Sequence, residues 1–169
     1  IGKKKENIKP ARSKPHVASL SEVFASSLAL KGLATILILG FIIYANSFES
    51  TFHLDDINNI RDNASIRNLS NIKGMWEFSQ TRFLALYSFA WNFHYGQLNV
   101  GGYHVVNLII HLINAILVYW LTFLLFSTPA LKDKFLPGDK TMLSLAVALL
   151  FVSHPLATQS VTYIVQRMT

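Results

Sequence analysis

The 169-residue sequence contains no cysteine, which excludes disulfide frameworks, zinc–thiolate sites and thiol nucleophiles. Charge is also scarce. Asp, Glu, Lys and Arg make up 14% of the residues, against roughly 25% in an average soluble domain. Acidic side chains are the rarer kind, nine against fifteen basic ones, for a formal net charge of +6. What fills the chain instead is apolar: 51% hydrophobic residues, concentrated in long runs rather than spread at core periodicity. A soluble enzyme is excluded on that distribution, because helices apolar all round need lipid or a large interior to cover them.

The polar residues divide the chain. Residues 1–22 form a basic arm with Lys3, Lys4, Lys5, Lys9, Arg12 and Lys14, and Pro10 and Pro15 oppose helix. The arm lacks the aromatic interleaving of a nucleic-acid binder, so nucleic acid is not an expected partner. The remainder, 23–169, reads as one all-α integral membrane domain. Spans are expected near 28–46, 103–126 and 141–165, with a long outer loop over 47–102. The first run, LALKGLATILILGFIIYA, follows too long an arm for a signal peptide and is expected to stay as a span. The second is 24 residues, about 36 Å as helix, enough to cross a ~30 Å hydrocarbon core with some tilt. In the third, Pro155 interrupts the run. Either the helix continues through Pro155 with a kink, a neighbour satisfying the freed carbonyl, or it begins earlier, near Phe135 and Leu136, and ends near His154.

Basic residues near the span ends set the orientation. The arm together with Lys31 carries seven, and the 127–141 loop carries Lys132, Lys134 and Lys140. The much longer loop 47–102 carries only Arg61, Arg67, Lys73 and Arg82, against five acids. The N-terminus and the 127–141 loop are therefore expected on the cytoplasmic side, and loop 47–102 on the outer or lumenal side.

Chemistry is expected in that loop, which is far longer than a connection needs. Residues 82–95, RFLALYSFAWNFHY, read as an interfacial helix. Asp55 and Asp56 follow the first span closely. They suit either a helix cap for INNIRD or a general base at the membrane surface, where desolvation and a neighbouring carboxylate raise one pKa. In the second span, His104, Asn107, His111 and Asn114 recur at spacings of three and four and share one helical face. That face should meet helices or a cavity, as helix–helix glue or as a ligand site. His104 and His111 lie about 10.5 Å apart along the axis, too far to share one metal ion. Arg82 and Arg167 are headgroup-facing, or form a fork for a lipid phosphate. Two glycosylation triplets, Asn63-Ala64-Ser65 and Asn68-Leu69-Ser70, suit a non-cytoplasmic loop.

The order FHLDDINNI, TRFLALYSFAWNFHYGQLNVGGYHVVNLIIHLINAIL and ALLFVSHPLATQSVTYIVQRM resembles, over about residues 30–169, the N-terminal membrane region of a known enzyme family. These are the transmembrane and tetratricopeptide-repeat O-mannosyltransferases and their bacterial relatives, members of the GT-C superfamily of multi-spanning glycosyltransferases. The resemblance implies a polyprenyl-phosphate-linked sugar donor, possible transfer of mannose to a protein or glycan hydroxyl, and a GT-C bundle of which this chain is an N-terminal fragment. It implies Asp55 and Asp56 as base or acceptor-orienting pair, Arg82 and Arg167 near the lipid phosphate, and His104, His154 and Gln159 as supporting groups. Gln159 stands where eukaryotic members often carry Glu, and Phe83 where the family has Pro. The Gln159 departure leans toward a bacterial-type relative in an inner membrane, with the endoplasmic reticulum as the other location. Two carboxylates and a phosphate could hold Mg²⁺ or Mn²⁺, though no metal is expected to be obligatory. A non-catalytic membrane anchor or assembly subunit keeping the same scaffold is the alternative function, and a proton- or ion-coupled transporter using the span histidines is a third.

Overall fold

The computed structural model describes residues 27–169. The basic arm 1–22 lies outside the described residues. Among the described residues every regular element is helical, as backbone polar groups in lipid require.

Helix α1 (Ser27–Tyr44) runs on through a 3₁₀ turn, Ala45–Glu49, so that Ser27–Glu49 makes a 23-residue candidate span of mean hydropathy 2.1. Helices α2 (Ile72–Phe78) and α3 (Phe83–Gly96) lie in the loop. Helix α4 (Val100–Phe126) is a 27-residue candidate span of mean hydropathy 2.2. Helix α5 (Pro137–Ser153) precedes a 3₁₀ turn, Pro155–Ala157, and the short α6 (Thr158–Thr162). Among the described residues, two helices are long and apolar enough to cross a membrane, or three if α5 and the bent segment after it count as one.

Helix α1 turns a stripe of Ala29, Gly32, Ile36, Gly40 and Tyr44 inward, the small-residue pattern that lets membrane helices approach closely. A Cβ on Gly32 would fall 2.3 Å from Leu145 Cδ1, and one on Gly40 2.5 Å from Leu112 Cδ2. The opposite side, with Ile38, Phe41 and Ile42, is exposed and suits acyl chains. The three long helices share a core of Ile36, Ala115, Tyr119, Leu145, Ala148 and Val152.

The third apolar run follows the second of the two alternatives. Helix α5 starts with Pro137 in its first turn, where a missing N–H costs nothing, and the Asp139 carboxylate accepts from the Leu136 N–H at 3.3 Å. It stops at Ser153, because Pro155 disfavours helical backbone at His154, and the chain bends by 53°. Its 17 residues give about 25 Å, short of a full crossing. The Val152 carbonyl left free by this break accepts from the Tyr44 hydroxyl of α1 at 3.2 Å and from His111 Nε2 of α4 at 3.4 Å. His111 also stacks on Phe151 at 5.1 Å. The break is thus the point where all three helices are joined by polar contacts.

A second core lies in the loop. Ile60, Ile66, Met75, Leu86, Phe89 and Tyr103 pack with Ile164, Val165 and Met168 from a terminal 3₁₀ turn, Ile164–Met168. Residues after Thr162 thus leave α6 and complete the core of loop 47–102. Helix α3 covers almost the whole stretch expected to be helical. It buries Leu86, Phe89 and Ala90 and leaves Leu84, Trp91 and Tyr95 exposed.

Candidate functional site

Asp55 and Asp56 have different surroundings. The cause is a tight turn in which Leu54 takes a left-handed φ of +45° and Asp56 N–H bonds back to the His53 carbonyl at 2.9 Å. For a bulky side chain that backbone costs on the order of 1–3 kcal/mol and is concentrated at functional sites. The turn sends Asp56 inward and Asp55 outward. Asp56 is 1% exposed. Its Oδ1 accepts from the Val165 N–H at 2.7 Å and its Oδ2 from the His53 N–H at 3.1 Å. Burial pushes its carboxyl above the ordinary carboxylate range, and the His53 and Val165 N–H groups pull the other way. The expected cap for the INNIR turn is absent: that π-type turn, Ile57–Arg61, receives no side-chain bond from Asp56. Instead Asp56 ties the loop to the terminal 3₁₀ turn.

Asp55 is exposed, and its backbone N–H donates to the Tyr163 hydroxyl at 3.1 Å. Burial and the neighbouring Asp55 carboxylate raise the Tyr163 pKa, so its oxygen stays protonated. Beside this pair opens a cleft of 400 Å³ lined by Ser50, His53, Leu54, Gln159, Thr162 and Tyr163. Gln159 lines this cleft with His53 and Leu54 of the turn. Sequence reasoning does not single out Tyr163 or His53, although Tyr163 sits inside the VTYIVQR block that carries the resemblance.

Arg167 is enclosed. Its Nε donates to Asn107 Oδ1 at 2.7 Å. Nη1 donates to Ser88 Oγ at 3.0 Å and Asn92 Oδ1 at 2.8 Å, and Nη2 to the Tyr103 carbonyl at 2.9 Å. The guanidinium also lies 4.6 Å from the centre of the Phe89 ring. All of these acceptors are neutral, and burial lowers its pKa to about 10, which leaves it charged at neutral pH. Arg167 and Arg82 line one cleft of 390 Å³ with Trp76, Gln80, Thr81 and Thr169. Arg82 is exposed there, while Arg167 already spends four donor bonds on the chain itself. The two arginines are brought together, but neither Asp55 nor Asp56 lines their cleft. The expected arrangement of aspartates facing a guanidinium across one groove is not what the fold builds.

The helical stripe divides. His104 Nδ1 donates to the Val161 carbonyl at 3.1 Å and Asn107 Nδ2 to the Ile164 carbonyl at 3.3 Å, so with His111 these residues satisfy backbone of the chain's C-terminal segment. Asn114 is exposed beside Leu117 and Leu121. His104 Nε2 is buried without a partner. His154 is exposed, and its Nδ1 accepts from the Leu156 N–H at 3.2 Å, capping the turn after the α5 break. No group of three or more His, Asp or Glu side chains that could hold a metal ion occurs among the described residues.

Over 151 residues the chain is 31% identical to Protein O-mannosyl-transferase Tmtc1 of Drosophila melanogaster, a match that covers 82% of this chain and 16% of that protein. The chain therefore spans about one sixth of the length of the curated relative it matches. No family model matches the chain, and no solved structure matches it.

Proposed function

We propose that this chain carries the outer-face acceptor loop of a GT-C-type membrane glycosyltransferase, moving a sugar, mannose in the first instance, from a polyprenyl phosphate to a protein or glycan hydroxyl. Similarity to an O-mannosyl-transferase along most of the chain supports the reaction class. The observation that carries the reading is the split of the aspartate pair: Asp56 is fixed by two backbone N–H groups, and Asp55 is exposed on a strained turn, its N–H bonded to Tyr163, which itself lines the neighbouring cleft with His53 and Gln159. On this reading Asp55 takes the proton from the acceptor hydroxyl as its oxygen bonds to the sugar C1. The C1–O bond to phosphate breaks, and the phosphate leaves with the electron pair. Arg82, exposed in the second cleft, shares no groove with Asp55 and is assigned only to holding a lipid phosphate headgroup there. Arg167 acts as a positioning residue, since its donors already hold α3 and α4 to the terminal turn. The loop faces the outer or lumenal side, following the distribution of basic residues. No metal is required, because both Asp56 oxygens are already bonded to backbone N–H groups and only one carboxylate of the pair is left to offer.

The test is transfer from a polyprenyl-phosphate sugar by the full-length protein. Asp55→Asn is expected to lose about 10²–10⁴-fold in rate, the scale of general-base catalysis, with unchanged thermal stability. Asp56→Asn is expected to lose rate and stability together. Undiminished transfer by Asp55→Asn would overturn the assignment. It would leave the second reading, a non-catalytic scaffold, which the bonding of Asp56 and Arg167 to neutral groups of the chain itself favours.

A further inference from the structure

The two glycosylation triplets of the outer loop lie five residues apart and are identical in type, yet the fold treats them in opposite ways. Asn63 is 4% exposed. Its Nδ2, the atom that would carry a sugar, donates to the Asn59 carbonyl at 3.0 Å. Its Oδ1 accepts from both the Ser65 N–H at 2.9 Å and the Ser65 hydroxyl at 2.7 Å. A glycan on that nitrogen would have to fit between Asn63 and Asn59, where the chain leaves no room, so a chain modified there cannot reach this structure. Asn68 ends the Ala64–Arg67 turn and is exposed, as is Ser70. Its Oδ1 accepts from the Ser70 N–H at 2.9 Å, which turns the amide outward, and its Nδ2 donates to nothing among the described residues. The position is 19 residues past Glu49 and 32 before Val100, well clear of both candidate spans.

We infer that Asn68, and not Asn63, is an N-glycan attachment site when the chain is made in a cell that N-glycosylates its lumenal loops. The inference rests on the proposed outer or lumenal placement of loop 47–102. The donor is an oligosaccharide on a polyprenyl pyrophosphate, supplied with its transferase by the host cell. Asn68 Nδ2 forms the bond to the sugar C1, the C1–O bond to pyrophosphate breaks, the amide gives up one proton, and the lipid pyrophosphate leaves with the electron pair.

The full-length protein expressed in insect cells, resolved by gel mobility with and without peptide-N-glycosidase, tests this. Wild type should show one more glycosidase-sensitive glycan step than Asn68→Gln. Ser65→Ala, which removes the first triplet while leaving Asn63 in place, should keep that step. A control reports the side of the membrane independently: Glu77→Asn in the Asn68→Gln background completes a triplet with Phe78 and Ser79 at a side chain that is 64% exposed. A shift from that control, with none from the wild-type Asn68, overturns the site while leaving the orientation standing. No shift from either overturns the orientation and the site with it. A shift lost in Ser65→Ala and retained in Asn68→Gln overturns the structural distinction between the triplets.

Discussion

Asp56 and Asp55 are chemically identical neighbours, and a single left-handed residue before them decides which is a tie and which is free. The raised pKa of Asp56 has a consequence for stability. The folded chain holds that proton more tightly than the unfolded one, so the stability Asp56 contributes is complete below the ordinary aspartate value of about 3.9 and is lost as pH rises through its higher folded value. Thermal unfolding in detergent should therefore show a decline over that interval that Asp56→Asn removes. The same substitution should cost about 1–3 kcal/mol near neutral pH, because an amide can accept one of the two N–H groups but sets its own N–H against the other. Arg167→Met should be costlier, on the order of 3 kcal/mol, since it leaves Asn107, Asn92 and the Tyr103 carbonyl without their donor. Arg167→Lys keeps the charge yet should recover only part of the loss, because an ammonium has three donors where the guanidinium uses four. Differential scanning fluorimetry of the two variants separates these outcomes.

Among the elements, α1 is held by what it lacks. With Gly32 against Leu145 and Gly40 against Leu112, the helix axes approach where a side chain would hold them apart. Gly32→Val should destabilise the packing of α1 on α5 by about 1–3 kcal/mol, the scale of overpacking. Ile38→Leu, on the exposed side, should leave the unfolding midpoint unchanged. The broken α5 depends on a different device. Its Val152 carbonyl is satisfied by Tyr44 and His111. Tyr44→Phe and His111→Leu should each lower stability by about 0.5–1.5 kcal/mol, and the double variant should lose more than the sum, because only then is the carbonyl left unpaired. A double-mutant cycle on unfolding free energies measures that excess; strict additivity would show that the two donors contribute independently and that neither covers for the other.

For the whole molecule, the decisive feature is that residues 164–168 return to loop 47–102 and complete its core. Asp56, His104, Asn107 and Arg167 all bond to or from that segment or its approach, so it links loop 47–102 to α4. Sequence alone determined the class: apolar runs of span length fix the long helices, and Pro155 fixes where the third must bend, because these follow from local backbone chemistry and the cost of leaving peptide groups unpaired in lipid. The inward face of α4 was likewise legible for His104, Asn107 and His111, whose spacing is helical; Asn114 has the same spacing but is exposed. What only the tertiary structure decided is the use of each polar group. Whether Asp56 caps its own turn or bonds Val165 more than a hundred residues away, whether Arg167 faces lipid phosphate or a ring of amides, and which arginine shares a cleft with which residues all depend on contacts between distant segments, and periodicity carries no record of those.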